Sequence, residues 1–298
     1  RARGRRRVSS IAEIRHHIKS IDDTAKITRA MHLIASSKMK KAMRAHDQTM
    51  LYYNNVRSNM RFILDNSPEG LRSSFYRDSG DKAAYLIIAG DKGMCGGYNH
   101  DVLKLAYQEL QNARQKAVRI VTFGHVATNF MQRRDVHLHD TYLTAVQNPS
   151  LDIAREIGAK LCLRYRQMAF DEVYVIFTQL LKGGITKPTK IRLLPITRDA
   201  VADVEPMHAP IGGLDFLPGR AEVLDAMAQH YVSGMLYSAL VQSFASENRA
   251  RMTAMESATR NADDMHHKLV LTLNHARQAA ITQEINEIIG GNPDSFVL

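Results

Sequence analysis

The stretch Arg220–Ile289, RAEVLDAMAQHYVSGMLYSALVQSFASENRARMTAMESATRNADDMHHKLVLTLNHARQAAITQEINEII, decides the fold. It contains no proline, and no glycine after Gly234. Proline removes a helix hydrogen bond and glycine costs backbone entropy, so their absence allows one long unbroken helix. Apolar or small residues recur at Met252, Met255, Ala258, Ala262, Met265, Leu269, Leu273, Ala276 and Ala280. Steps of three and four describe a helix with one packing seam. At a rise of 1.5 Å per residue such a helix is roughly 100 Å long. That exceeds the width of a small domain, so most of it needs a partner other than its own globular core. Gly290 and Gly291, followed by Pro293, mark the stop.

The other end of the chain mirrors this pattern. Between Gly4 and Pro68 there is neither glycine nor proline. Ser9 or Ser10 offers an N-cap, with Glu13 placed for a capping box. Ile11, Ile14, Ile18, Ile21 and Ala25 then follow heptad spacing. Beyond them the apolar positions drift to Ile27, Met31, Ile34 and Met39, and later to Met43, Met50, Tyr53, Met60, Ile63 and Leu64. Helix is expected from about residue 10 to residue 64. Two seamed helices at opposite ends of one chain predict an antiparallel coiled coil. The alternative is two helices packed separately on the middle of the chain.

Charge supports the pairing. Residues 1–61 hold fifteen Lys and Arg against four Asp and Glu, while the remainder holds 25 against 26. Residues 220–298 carry six basic and nine acidic residues. The basic partner surface therefore belongs to the N-terminal segment, which starts with RARGRRR, and an acidic protein surface or a polyanion would complement it.

The middle supplies the compact insert that an antiparallel pair requires. Asp65–Lys82 is rich in turn residues. AYLIIAG (84–90), VRIVTFG (118–124) and EVYVIFTQL (172–180) read as buried strands. DVLKLAYQELQNARQ (101–115), residues 125–133 and LDIAREIGAKLCLRYRQM (151–168) read as helices. KGGIT is a hairpin turn, and KPTKIRLLPI returns as a strand. Alternation of strand and helix predicts a mostly parallel, Rossmann-like α/β sheet with one antiparallel member. The expected organisation is an N-terminal tail and helix (1–66), a central α/β domain (67–218), and a C-terminal helix and tail (219–298).

Candidate chemistry is sparse. The glycine cluster GDKGMCGGYN (90–99) lies between a strand and a helix, where phosphate loops occur, but it fits neither G-x-G-x-x-G nor the P-loop pattern. A glycine-lined turn with close backbone packing explains it better. Cys95 within it is read as a buried small residue, the reactive-thiol reading being the alternative. Cys95 and Cys162 have no framework spacing, so free thiols in a reducing compartment are expected. His137 and His139 alternate as on a strand face, without a third ligand in pattern. The basic run Lys38–Arg44 lacks the aromatic interleaving of a single-strand binder, so no nucleic-acid partner is expected. There is no run of eighteen apolar residues to span a bilayer.

Three stretches resemble a specific family. IAEIRHHIKSIDDTAKITRAMHLIASSKMKKA (11–42) resembles the opening of the gamma subunit of rotary F-type ATP synthases. GDKGMCGGYN resembles that family's S-D-K-G-L-C-G-G-x-N, and LNHARQAAITQEINEIIGG (273–291) resembles its C-terminal signature. The resemblance implies N- and C-terminal helices wound antiparallel over a Rossmann-like base. It implies a rotor that couples proton-driven rotation to conformational change in surrounding catalytic subunits, with no cofactor and no catalytic residue of its own. The implied partners are the alpha and beta subunits of the catalytic head, the small stalk subunits (delta or epsilon) and the membrane c-ring.

Carried over by position, Met31, Lys38, Arg277, Gln278, Thr282 and Glu284 are implied catalytic-subunit contacts, and Phe216 and Leu217 the approach to the membrane ring. Small or flexible side chains near the tip, Met265, Ala276, Ala279 and Ala280, are expected to let the shaft turn without deep interlocking. Asp22 and Asp23 depart from the family's basic or amide residues, and NPDSFVL (292–298) departs from its small-residue ending. The Arg-led start suits a processed mitochondrial protein on the matrix side of the inner membrane, the bacterial plasma membrane being the alternative location. Two rival functions remain at this point. Tight ATP binding by the chain itself would mark a nucleotide-binding α/β protein, and a salt-sensitive gel shift would mark a basic coiled-coil scaffold.

Overall fold

A computed structural model of the chain describes residues 11–67, 73–76, 80–114, 117–208 and 215–290. The expected cap at Ser9 or Ser10, the RARGRRR prefix and the NPDSFVL tail lie outside the described residues. Two helices dominate: α1 (Ile11–Asp65) and α5 (Arg220–Gly290). Between them lie β1 (Lys82–Ile88), α2 (Tyr98–Gln111), β2 (Ala117–Phe123), α3 (His125–Gln132), β3 (Asp140–Tyr142), α4 (Leu151–Arg166), β4 (Glu172–Leu180) and β5 (Thr186–Leu194). The chain divides into two compact units, one of residues 35–251 and one built from its two ends.

In the larger unit the strands form one sheet in the order β3-β2-β1-β4-β5. β1, β2, β3 and β4 run parallel, with Leu86 opposite both Val121 and Val175. β5 returns antiparallel to β4. β1 sits at the centre with every residue after Lys82 buried, as a strand covered on both faces requires. One face packs α2 and α3 through Ala83, Tyr85, Ile87, Val102, Ala106, Ala127 and Met131. The other packs α4 and the lower parts of α1 and α5 through residues such as Leu86, Ile157, Met60, Leu236 and Leu240. Full burial of each such side chain stabilises the fold by about 1.5–3 kcal/mol.

Local signals account for the elements. Ser150 caps α4 by accepting a hydrogen bond from the Ile153 amide at 3.3 Å, and Arg164 and Arg166 lie in its last turn, where cations suit the helix dipole. The face it buries repeats at helical spacing: Ala154, Ile157, Gly158, Leu161, Cys162 and Tyr165. β3, with three residues, is absent from the sequence reading. It carries neither a hydrophobic run nor a turn boundary, and its pairing to β2 decides its state.

Within this unit the helix ends run antiparallel. His46 Nε2 lies 2.9 Å from Ser238 Oγ, Tyr52 Oη lies 3.3 Å from His230 Nδ1, and Arg220 donates to the Asn66 carbonyl at 2.6 Å. A close approach occurs at Gly234. A Cβ there would stand 2.2 Å from a ring carbon of buried Tyr53, so glycine is required for this packing.

The smaller unit is a two-helix coil of residues 11–34 and 252–290. Thr28 Oγ1 lies 2.7 Å from Thr259 Oγ1, and Arg29 donates to Asp263 at 2.6 Å. His266 lies close enough to act on Asp22, whose carboxyl is held below its usual range first by Lys26. Going down α1 therefore goes up α5, and the pairing is antiparallel. Here the structure corrects the expected drift of the seam. Ile27 and Ile34 are 60% and 55% exposed, whereas Ile14, Ala25 and Thr28 are buried and Ile18, Ile21 and His32 half-buried. The heptad steps of four and three continue through Thr28 and His32. On α5, Met265 is 53% exposed and His266 turns inward beside buried Met255 and Ala262. A small or polar residue occupies the seam where the helices are close, and the larger apolar neighbour is displaced outward.

Candidate functional site

The expected contact residues fall into three places. Arg277, Gln278, Thr282 and Glu284 lie on the last turns of α5, all exposed. Arg277, Ile281, Glu284 and Ile288 follow one another by four, three and four and so share a face. Ile281, Ile285 and Ile288 are 54%, 49% and 74% exposed. Every residue from Ile281 to Ile288 is exposed, so among the described residues nothing covers this stretch. Thr282 is turned back, donating to the Gln278 carbonyl at 2.9 Å.

Met31 sits half-buried in the coil. With Arg29 opposite Asp263, Met31 lies level with about residue 261 and so roughly 24 Å along the coil axis from Arg277, about sixteen residues at the helical rise. The structure thus does not bring Met31 and Arg277 together; they lie at two levels of the coil. Arg29 and Arg260 flank this level, Arg29 paired with Asp263 and Arg260 with Glu256. Asp22 and Asp23 are both matched by Lys26, at 2.6 and 3.5 Å, which removes the local charge conflict.

Lys38, Phe216 and Leu217 belong to the larger unit. Lys38 is exposed, and its charge acts on Glu247. Phe216 is half-buried with the Arg220 guanidinium 5.5 Å from its ring centre, and Leu217 is 86% exposed.

The glycine loop is built differently from a phosphate cradle. The Gly90 amide donates to Asn99 Oδ1 at 2.8 Å, and the Asn99 amide donates to the Lys92 carbonyl at 3.2 Å. Arg251 donates to the Gly93 carbonyl at 3.3 Å and to Glu247 at 2.6 Å. A Cβ at Gly90 would come 2.9 Å from Asn99 Oδ1 and 3.0 Å from the Glu247 carboxyl carbon. At Gly90 the chain's own side chains fill the space beside the backbone, whereas Gly93 and Gly96 face open space. Burial raises the Glu247 carboxyl above its usual range, and Arg251 opposes that shift. Burial likewise raises the Cys95 thiol, which is 2% exposed.

This cluster escaped the sequence reading. Its signal was the pair Glu247 and Arg251 at a spacing of four inside ENRAR, a spacing that ordinary surface ion pairs share. His137 and His139 meet edge to face, with ring centres 5.0 Å apart. Among the described residues no group of three or more His, Cys, Asp or Glu is placed to hold a metal.

Comparison with known proteins decides the family. The ATP synthase family model matches residues 10–293. The chain belongs to the ATP synthase gamma-chain family. It is 40% identical to the ATP synthase gamma chain of Ruminiclostridium cellulolyticum over 289 residues, covering 95% of this chain and 98% of that one. It is 36% identical to the gamma chain of Acetivibrio thermocellus, again over 95% and 98% of the two chains.

Among solved structures it resembles a chain of the central stalk and c-ring of the Tetrahymena thermophila mitochondrial ATP synthase. There the TM-score is 0.58 at 20% identity, covering 78% of this chain and 99% of that one. A chain of the Euglena gracilis mitochondrial enzyme gives a TM-score of 0.58 at 16% identity, covering 95% and 97%. These two likenesses concern the fold. Both gamma-chain relatives are bacterial, so the expected mitochondrial origin draws no support from them. No described helix is long and apolar enough to cross a membrane.

Proposed function

We infer that this gamma chain, the central-stalk rotor subunit of an F-type ATP synthase, works through two contact levels on its coil and one at its base. The observation that carries this reading is the end of α5. Eight consecutive residues, Ile281–Ile288, stay exposed with three isoleucines among them, on a helix whose earlier turns pair with α1. Such a surface fits a collar supplied by other subunits.

Arg277, Gln278, Thr282 and Glu284 meet the catalytic alpha and beta subunits at the tip, and Met31 meets them lower on the coil. Lys38 adds positive charge toward an acidic partner surface. Phe216 and Leu217 face the membrane ring, alongside the small stalk subunits. The chain itself is non-catalytic; the departure of its glycine loop from the G-x-G-x-x-G and P-loop patterns and the Asn99 side chain bonded to the Gly90 amide support this. It is held at the membrane surface through these partners, and its bacterial relatives favour the plasma membrane.

Rotation acts by differential contact. A shaft with unequal faces offers each catalytic subunit a different surface, and each surface favours a different open or closed state. Titration separates this from catalysis by the chain. ATP should bind the assembled complex and leave the purified chain untouched, and omission of the chain from a reconstituted complex should abolish proton-coupled turnover. Stoichiometric ATP binding by the chain alone would defeat the reading.

A further inference from the structure

In an open parallel sheet, ligands bind at the carboxyl ends of the strands where the strand order reverses. The order β3-β2-β1-β4-β5 places that reversal between β1 and β4. One stripe of α5 occupies it. Ser243, Ser246, Glu247 and Arg251 follow at helical spacing and so share a face. Ser246 donates to the Thr178 carbonyl at 3.1 Å, and the Thr178 amide donates to Ser243 Oγ at 3.4 Å. Arg251 reaches the Gly93 carbonyl at 3.3 Å while bound to Glu247 at 2.6 Å. Ser243, Ser246 and Glu247 are all buried. Thr178 ends in β4 and Gly93 follows β1, so the stripe spans both sides of the reversal.

Most of α5 at this level, including Leu236, Leu240, Val241 and Ala245, is held by apolar burial, and Ser238 bonds His46 of α1 rather than the sheet. Apolar burial is non-directional: it opposes separation more than it opposes turning. Hydrogen bonds have angular preferences and oppose turning directly. Charge-assisted ones, such as those of Arg251, are the stronger kind.

We propose that Ser243, Ser246 and Arg251, with Glu247 orienting Arg251 from the same helix, form an azimuthal lock, positioning residues that hold α5 against rotation about its own axis on the β1–β4 edge of the sheet. The ligand position of the fold is thereby used to fasten the shaft. The lock rests on the rotor reading, because a helix that bears no torque has no use for it. A loaded shaft without it slips against its base, and work done at the tip is lost before it reaches the membrane ring.

The test uses membrane vesicles carrying the assembled enzyme, with ATP-driven acidification and uncoupler-released ATP hydrolysis measured side by side. Arg251→Ala should keep released hydrolysis within about twofold of wild type and lower the steady proton gradient about twofold or more. The deficit should grow as the opposing gradient rises. Arg251→Lys retains a cation for Glu247 and a donor for Gly93, and should recover most of the gradient. Ser243→Ala/Ser246→Ala leaves no charge unpaired and decides the matter if Arg251→Ala does not assemble. Hydrolysis and gradient falling together at every load would indicate a merely structural role and overturn the lock, as would both variants reaching the wild-type gradient. A separate arm guards the rotor reading: position 278 is cross-linked to the catalytic head in otherwise wild-type vesicles. Undiminished acidification there would remove the rotor reading itself, whatever the variants show.

Discussion

Gly234→Ala probes the packing of the two long helices at a close approach. The added Cβ would stand 2.2, 2.4 and 2.7 Å from three ring carbons of Tyr53. Carbon atoms pack at about 3.5 Å or more, so the ring must retreat by more than 1 Å. It has little room to do so, being 2% exposed with the Tyr52 ring centre 5.1 Å away. Overpacking of this kind costs about 1–3 kcal/mol, and a contact so short belongs at the upper end. For a unit of this size, about 3 kcal/mol lowers the melting temperature by roughly 6–12 °C.

The assay is thermal unfolding of the purified chain, read in wild type and in a Tyr53→Ala background. Tyr53→Ala alone should cost about 3–5 kcal/mol through the cavity it opens. In that background Gly234→Ala should stabilise by about 0.5–1 kcal/mol, the helix preference of alanine over glycine, because the ring it would strike is gone. The reasoning is refuted if Gly234→Ala shifts stability by less than about 0.5 kcal/mol, or by the same amount in both backgrounds.

Four further outcomes are expected. Burial raises the Glu247 pKa, so its contribution is more favourable in acid and is lost as pH rises through that value. Removing Arg251 takes away the opposing influence, and Arg251→Ala should cost up to about 3–5 kcal/mol near pH 8 and clearly less near pH 5 in urea titrations. Arg277→Ala and Met31→Lys should change turnover or proton coupling of the assembled enzyme while exposed Arg277→Ala moves chain stability by no more than about 0.5 kcal/mol; unchanged rates in both would remove their contact roles. Thr28→Val and Thr259→Val, compared singly and together, should show a coupling of about 0.5–1.5 kcal/mol through their shared hydrogen bond. Cys95 and Cys162, both buried with thiols raised by burial, Cys162 to about 12, should resist alkylation in the native chain and react on unfolding.

Much of this fold is legible in the residues because its strongest signals are local. The end of the first long helix near residue 65 and the start of the second near residue 220 follow from where proline and glycine return. The runs at 84–90, 118–124 and 172–180 mark three strands because buried parallel strands are apolar on both faces. The hidden parts depend on partners distant in sequence. Ile27 and Ile34 look like seam residues by hydropathy, yet the coil selects Thr28 and His32, because α5 offers Thr259 and Ala262 at that level and close helices favour small or hydrogen-bonding groups. β3 exists through its pairing with β2. The glycine loop reads as a tight turn, but the identity of what fills it, Asn99 and the Glu247–Arg251 pair, requires knowing that α5 returns to this strand edge. Family resemblance places the contact residues, of which Lys38, Leu217, Arg277, Gln278, Thr282 and Glu284 are exposed and Met31 and Phe216 half-buried.

The central claim is that the chain turns inside the enzyme. Met168 is 57% exposed and both native cysteines are buried, so a single cysteine introduced there labels selectively. With the catalytic head immobilised and a gold rod attached at position 168, ATP should drive continued rotation in one sense, stopping when ATP is removed. A rod that stays still while the same molecules hydrolyse ATP would contradict the account.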